Sequence, residues 1–266
     1  MVHTINKDFV DTESHSEYLS QFTLNLIKRR VVPRGTQVPR AKYRAALVAE
    51  TVAKAPQEET PTVVLTGGGY GAGKTTAIDF LTRTRSIPLH LGALTGVDNF
   101  KLVIPEYTLL QRLAEGDAST VVQEEARLLA NETFTQMVNE QRSFGWDSSM
   151  SNKNDSLARI AYARKHGYKI ILVAVFSPIE VAIRQAMSRA YQNRRFAHPD
   201  FLPNSHRDFR ANFGSYVPLL DEVFVFCNDG TLNANKQPNM KFTARKVAGH
   251  TGLAILDQSS FDSLVA

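Results

Sequence analysis

Residues 62–76 have the sequence Thr-Val-Val-Leu-Thr-Gly-Gly-Gly-Tyr-Gly-Ala-Gly-Lys-Thr-Thr. Within this stretch, Gly68 to Thr75 fit the pattern G-x-x-x-x-G-K-[ST] in full. A β-branched apolar run precedes the glycines and an apolar-periodic segment at residues 77–81 follows them, which indicates a strand, a loop and a helix. Glycines allow consecutive backbone N–H groups to point at one anion, and the helix N-terminus adds further donors. The stretch therefore predicts a phosphate-binding loop.

This loop is expected to hold the phosphates of a nucleotide. The predicted nucleotide-binding residues are Gly68, Gly69, Tyr70, Gly71, Ala72, Gly73, Lys74, Thr75 and Thr76. In such loops the lysine reaches the β- and γ-phosphates, and the hydroxyl of the next residue holds Mg²⁺. We therefore expect Lys74 to bind phosphate and Thr75 to bind the metal.

The composition is that of a globular α/β protein. With 266 residues, of which 43% are hydrophobic, the chain can bury one substantial core and a small appended segment. The first twenty residues are polar, and no apolar run approaches the roughly 20 residues needed to span a bilayer. The single cysteine, Cys227, excludes an intramolecular disulfide and a cysteine-rich zinc site. We expect a cytoplasmic protein without a membrane partner.

Predicted strands and helices alternate along most of the chain. Strands are predicted near residues 62–66, 93–97, 143–147, 168–176 and 222–227, and helices near residues 74–84, 106–114, 118–141, 154–166, 178–193 and 204–213. The near-continuous apolar run at residues 170–176 is typical of a parallel strand that is covered on both faces. The pattern predicts an α/β fold with a doubly wound parallel sheet of the P-loop kinase type. Ligands bind at the carboxyl ends of the strands in such folds.

A helical segment precedes this predicted domain. Helical spacing of apolar residues at 16–27 and at 41–53 predicts two helices, and the proline-containing stretch at 55–61 reads as a linker. We therefore divide the chain into an N-terminal helical segment, residues 1–55, and a kinase domain, residues 56–266.

Polar residues at the strand ends are the candidates for chemistry. Asp98 follows the second strand, where a carboxylate can bind Mg²⁺ or accept a proton from an attacking hydroxyl, although a helix N-cap is the alternative. Asp147 and Ser149 follow the third strand, where they suit sugar hydroxyls or, equally, the next helix N-cap. Glu132 falls in an apolar sector of a long helix, so it points either into a polar cleft or to the edge of that sector.

Two arginines, Arg189 and Arg195, lie where a predicted helix enters a loop. Arginines on such a loop neutralise charge on a transferred phosphoryl group, with a rigid fork that binds oxygens in pairs. The alternative is that they interact favourably with the negative, C-terminal end of the helix dipole.

Taken in order, these motifs resemble the zeta toxin family, whose members are P-loop kinases of UDP-N-acetylglucosamine. The similarity covers about residues 61–230. Besides the phosphate-binding loop, residues 98–107 resemble the family's D-x-F-[KR] block, residues 147–152 its [DE]-G-T turn, and residues 189–199 its arginine-bearing lid.

The resemblance implies transfer of the γ-phosphate of ATP, or of GTP, to the 3′-hydroxyl of the N-acetylglucosamine unit, with Mg²⁺ as cofactor. Cell-wall precursor synthesis would be poisoned as a result. Asp98 would be the base, with Lys74, Arg189 and Arg195 as the other catalytic residues. The substrate-binding residues would be Glu132, Asp147 and Ser149.

The resemblance also implies a form of control. An antitoxin helix blocks the nucleotide site in toxin–antitoxin systems of this family, so an antitoxin in trans is one expected partner. Because this chain has its own helical segment, inhibition in cis by residues 1–55 is the second hypothesis. Simple packing of that segment on an apolar face is the third.

Two other functions fit the same motifs. One is a P-loop kinase of another hydroxyl acceptor, such as a nucleoside, an antibiotic or a nucleic-acid end. The net charge of +5 favours the last, but Tyr191 and Phe196 alone do not make a base-stacking surface, so no nucleic-acid partner is expected. The other is a nucleotide-dependent binding module, against which the missing D-x-x-G sensor and the candidate base Asp98 both argue.

Overall fold

The computed structural model of the chain describes residues 40–88, 93–112, 118–193, 200–232 and 238–265. The strands of this part of the chain are β1 (Thr62–Gly67), β2 (Leu94–Gly96), β3 (Phe144–Asp147), β4 (Lys169–Phe176), β5 (Glu222–Leu232), β6 (Pro238–Lys246) and β7 (Ala254–Ile255). They form one sheet in the order β2-β3-β1-β4-β5-β6-β7.

Helices connect the strands and cover both faces of the sheet. They are α1 (Arg40–Ala53), α2 (Lys74–Arg83), α3 (Val97–Lys101), α4 (Pro105–Arg112), α5 (Ala118–Val121), α6 (Gln123–Asn139), α7 (Lys153–Lys165), α8 (Ile179–Asn193), α9 (Phe201–Tyr216) and α10 (Gln258–Val265). Within the described ranges, none of these helices is both long enough and apolar enough to cross a membrane.

The five strands β1 to β5 are parallel, which confirms the predicted doubly wound sheet. β1 lies at the centre of these five and pairs with β3 on one side and β4 on the other. β2 extends the sheet beyond β3, and β5 extends it beyond β4. The sequence did not lead us to predict the antiparallel strands β6 and β7, which continue the sheet past β5.

The continuous apolar run of β4 is explained by burial on both faces. Ile170 and Leu172 join the core cluster that α6 and α9 complete, whereas Ile171 and Val173 join the cluster that α2 completes. Successive side chains of a strand point to opposite faces, so both sets must be apolar. The central strands are therefore enclosed, and their carboxyl ends are the accessible part of the sheet.

Helix α1 shares the core of the sheet domain. Val48 and Val52 are each 2% exposed and belong to the same cluster as the side chains of α6. The Arg44 guanidinium is 2.8 Å from the Glu125 carboxylate on α6. The other helix predicted in the N-terminal segment, at residues 16–27, lies outside the described residues.

Candidate active site

Three loops at the carboxyl ends of neighbouring strands form the candidate active site. β1 leads into the phosphate-binding loop at residues 68–73, β2 leads into α3, and β3 leads into a turn at residues 147–152. Because β2, β3 and β1 are neighbours and parallel, their carboxyl ends meet at one edge of the sheet.

The phosphate-binding loop has a backbone suited to an anion. Gly73 precedes α2 with φ of 101°, a left-handed conformation that a side chain would strain. Within the described residues, the amides of Gly71, Gly73, Lys74 and Thr75 make no hydrogen bond. They lie at the positive end of α2, so they are available to an oxyanion.

Lys74 lies among the charges of the neighbouring strand ends. Its Nζ donates to the carbonyl oxygen of Gly68 at 3.1 Å. Burial lowers the pKa of Lys74; the carboxylates of Asp147 and Asp98 oppose that shift, and the charge of Arg189 adds to it. The Lys74 ammonium therefore interacts electrostatically with an acid at the end of β3, an acid on α3 and an arginine on α8.

The turn after β3 is tied to the end of β1. The Thr66 hydroxyl donates to Asp147 Oδ1 at 2.7 Å and accepts from the amide of Ser148 at 2.9 Å. The amide of Gly68 donates to the carbonyl of Ser149 at 3.1 Å. These bonds fix the Asp147 carboxylate beside the phosphate-binding loop.

The same turn is held from the other side by α9. Met150 is 4% exposed and adopts a left-handed conformation with φ of 51°. Its carbonyl accepts from the Tyr216 hydroxyl at 3.0 Å, and the carbonyl of Ser151 accepts from the side chain of Asn212 at 2.9 Å. The strained backbone is therefore held by two side chains of one helix.

Asp98 lies in the first turn of α3 and forms an ion pair with Lys101. The two side chains approach to 2.9 Å, and they differ in burial: Asp98 is 59% exposed and Lys101 is 11% exposed. The Lys101 ammonium also donates to the Ser119 hydroxyl at 2.8 Å. A buried lysine therefore holds the candidate base at the cavity wall.

Helix α9 also contacts the phosphate-binding loop. The amide of Tyr70 donates to the Ser205 hydroxyl at 3.0 Å, and His206 Nε2 donates to the carbonyl of Tyr70 at 2.9 Å. The imidazole lies against Gly69 so closely that a Cβ there would come within 2.0 Å of the ring. Gly69 is therefore required by close approach.

The structure brings four of the predicted catalytic and substrate-binding residues together in one cavity of about 510 Å³. Its wall includes Lys74, Asp98, Asp147 and Ser149. The lysine of the glycine-rich loop and two carboxylates thus face a space large enough for a small molecule.

Three other predicted residues do not line this cavity, although Thr75 directly follows Lys74 and the charge of Arg189 acts on Lys74. Glu132 is exposed on α6, next to the exposed Leu128, and does not line this cavity. Arg189 is exposed on α8, and Thr75 is exposed in the first turn of α2. Arg195 lies outside the described residues.

Sequence reasoning missed three cationic residues in the cavity wall: Lys101, Arg127 and Arg159. Arg159 is half-buried on α7, with its guanidinium carbon 5.2 Å from the centre of the Trp146 ring. A charged residue on a predicted helix is most simply interpreted as solvent-exposed, so the sequence did not single out Arg127 as a site residue. Lys101 was given no role, although it stands at the [KR] position of the D-x-F-[KR] block. The aromatic strand end before α7 was the signal available for Arg159.

The site offers oxygen ligands for a cation. The Thr75 hydroxyl makes no hydrogen bond within the described residues, and the Asp98 and Asp147 carboxylates line the adjoining cavity. Hydroxyl and carboxylate oxygens are what Mg²⁺ prefers. No cluster of three or more acidic, histidine or cysteine side chains exists in the described ranges, so such a cation would depend on nucleotide phosphates for its other ligands.

The strand order, the glycine-rich loop after β1 and the carboxylates at the adjacent strand ends define a P-loop phosphotransferase. A family comparison agrees, because the sequence model of the zeta toxin family matches residues 46–236. The chain belongs to the zeta toxin family. It is therefore a nucleotide-binding kinase.

Solved structures show the same fold at low sequence identity. A protein of the PezAT chromosomal toxin–antitoxin system of Streptococcus pneumoniae matches with a TM-score of 0.54 and 16% identity, over 74% of this chain and 77% of that one. The AvrRxo1-ORF1:-ORF2 structure with ATP matches with a TM-score of 0.62 and 16% identity, over 85% of this chain and 72% of that one. A search of curated proteins found no match.

Proposed function

We propose that the chain transfers the γ-phosphate of ATP to the 3′-hydroxyl of UDP-N-acetylglucosamine. The observation that carries the proposal is the single cavity in which the phosphate-binding Lys74 faces Asp98 and Asp147. The nucleotide-sugar acceptor is what the resemblance to the zeta toxin family implies, and a neighbour of the same fold solved with ATP supports ATP as the donor.

On the donor side, the free amides of the phosphate-binding loop and Lys74 would hold the β- and γ-phosphates. Thr75 would hold Mg²⁺, which when bound neutralises phosphate charge. Arg189 and Arg195 would stabilise the charge that develops on the transferred phosphoryl group.

On the acceptor side, Asp98 would accept the proton of the attacking hydroxyl, while Asp147 and Ser149 would position the sugar. Proton acceptance requires a group within hydrogen-bond reach of the hydroxyl, and Asp98 lines the cavity with much of its carboxylate accessible. Glu132 stays a prediction from the resemblance. Turnover of a Glu132→Gln variant would test it separately.

The test is incubation of the purified chain with Mg·ATP and UDP-N-acetylglucosamine, followed by mass spectrometry of the nucleotide sugar. We expect the mass of one phosphate to be added, and we expect the product to be lost with Asp98→Asn or Lys74→Ala. Asp208→Asn removes an exposed carboxylate of α9 and serves as the matched control. Unchanged turnover in Asp98→Asn would exclude Asp98 as the base.

We further propose that the activity is restrained by a partner or by the N-terminal segment. Toxin–antitoxin systems such as PezAT of Streptococcus pneumoniae provide the precedent for a partner. For restraint in cis, the relevant part is residues 1–39, because α1 contributes Val48 and Val52 to the core and cannot be removed without cost. A chain that begins at residue 40 should turn over faster than the full chain, and equal rates would contradict restraint in cis.

A further inference from the structure

The wall of the cavity also holds the guanidinium of Arg159, on α7. Arg159 lies over the rings of Trp146 and Phe134, with its central carbon 5.2 and 5.9 Å from their centres. Its Nη2 donates to the amide oxygen of Asn131 at 2.6 Å. The aromatic rings and the amide together orient the guanidinium plane before any ligand arrives.

This guanidinium has no carboxylate at ion-pair distance within the described residues. Its hydrogen-bond partner is a neutral amide, and Asp155 acts on it only through its field. Other half-buried arginines are paired, such as Arg44 with Glu125 and Arg142 with Glu140. A cation that is withdrawn from water without an opposite charge costs free energy unless a ligand supplies that charge.

A second cation lies in the same wall. Arg127 on α6 also lines the cavity, and its positive charge acts on Arg159. Arg127 is paired with Glu124 at 3.0 Å and is half exposed. The wall therefore presents one guanidinium that is paired with a carboxylate, that of Arg127 on α6, and one that is not, that of Arg159 on α7. Neither lies on the elements that carry the predicted catalytic and substrate-binding acids, since Asp98 is on α3 and Asp147 ends β3.

We propose that Arg159 binds an anionic group of the acceptor, a phosphate or diphosphate, at a distance from the hydroxyl that is phosphorylated. The inference rests on the proposed function, and it assigns to this chain a specificity residue that the motifs do not contain. A planar, stacked guanidinium is suited to two oxygens of one phosphate. The competing explanation, that Arg159 only covers Trp146, predicts a loss of stability without a change in acceptor charge preference.

The experiment measures binding without chemistry. The full chain is saturated with Mg²⁺ and a non-hydrolysable ATP analogue, and UDP or uridine is titrated in by calorimetry. The two probes differ only in the diphosphate, so their ratio of affinities reports how strongly charge is recognised. Wild type, Arg159→Gln, Arg159→Lys and Arg164→Gln are compared.

We expect Arg159→Gln to weaken UDP by roughly 10- to 100-fold, the usual loss for a hydrogen bond to a charged group, and to leave uridine unchanged. Arg159→Lys should lose less, because the charge remains and only the fork is gone. Arg164→Gln removes a charge from the same helix at a site paired with Asp221, so it should leave UDP affinity unchanged.

Equal UDP affinity in wild type and Arg159→Gln would overturn the inference, as would uridine binding as tightly as UDP. Binding of the ATP analogue serves as the check that each variant is folded. If Arg159→Gln does not bind the ATP analogue, Arg159→Lys tests the inference in its place. A loss of UDP affinity without a loss of uridine affinity supports phosphate binding by Arg159, whereas equal losses for both probes indicate a role in packing alone. Arg159-dependent UDP binding without phosphorylation of UDP-N-acetylglucosamine would overturn only the proposed reaction.

Discussion

Lys101 is the residue that fixes the candidate base. Its ammonium is nearly buried, and it is held between the Asp98 carboxylate and the Ser119 hydroxyl at 2.9 and 2.8 Å. Asp98 itself is mostly exposed, so the buried partner decides which way the carboxylate points.

Replacement of Lys101 by methionine should therefore lower kcat more than it raises the KM for ATP. We expect a loss of about 10-fold or more in kcat, because the base would no longer be held in reach of the hydroxyl. Lys101→Arg keeps a cation and should recover part of the rate. Steady-state kinetics of both variants measure this, and equal kcat in wild type and Lys101→Met would contradict the positioning role.

His206 makes the stability of the chain sensitive to acid. Burial lowers its pKa, the positive charges of Lys74 and Arg210 lower it further, and the bond to the Tyr70 carbonyl opposes the shift. Because the folded pKa is below that of the unfolded chain, the unfolded state binds more protons as pH falls through about 6.5. Stability should therefore fall across that range.

His206→Gln should remove that part of the acid sensitivity. Urea unfolding at about pH 7.5 and about pH 5.5 measures the difference in the free energy of unfolding between the two pH values. His250→Gln, at an exposed position, is the control. A variant that loses as much stability on acidification as the wild type would show that His206 is not responsible.

At the scale of elements, α1 behaves as part of the kinase core. Val52→Ala should lower the free energy of unfolding by about 1–2 kcal/mol, since a buried side chain of 2% exposure loses two methyl groups. Glu50→Ala on the same helix changes an exposed side chain and should stay within about 0.5 kcal/mol. Denaturant unfolding of both variants distinguishes a core helix from one that only rests on the surface.

The elements that could be predicted are those whose burial follows from a continuous apolar run or from a motif. The strands β1 and β4 are β-branched or apolar along nearly their whole length and are buried on both faces. The helix after the phosphate-binding loop is predicted by the loop motif itself. β6 was missed although Met240, Phe242 and Ala244 alternate with polar residues, because a doubly wound parallel sheet gives no reason to expect an antiparallel strand beyond β5. That alternation was a usable strand signal, whereas the five-residue helix α3 is too short to show a helical period.

The candidate site was predictable only where a residue followed a strand. Asp98 and Asp147 could be placed because parallel strands end at one edge. Arg159 could not, since nothing in the sequence says which face of α7 meets the Trp146 ring. For Glu132 the helical wheel left a cleft and an edge open; the residue is exposed beside Leu128, which is exposed as well, so an apolar neighbour on the wheel did not mark the buried face of α6.

At the scale of the whole molecule, an occupied nucleotide site should stabilise the fold. A Mg²⁺-bound ATP analogue at about 100 times its Kd should add about 2.7 kcal/mol to the free energy of unfolding, because it binds only the folded state. Lys74→Ala at the same ligand concentration should gain less, since its Kd is weaker. Denaturant unfolding with and without ligand measures both values, and an equal gain in both proteins would contradict phosphate binding by Lys74.

Helix α9 contacts both the phosphate-binding loop and the turn after β3, so a single helix supports the two loops. Its first half bonds to the phosphate-binding loop through Ser205 and His206, and its second half bonds to the turn after β3 through Asn212 and Tyr216. A ligand that moves one of these loops must therefore alter its contacts with α9, and α9 also holds the loop that binds the other ligand. Donor and acceptor affinities should then be thermodynamically linked, each changing the other by the same factor.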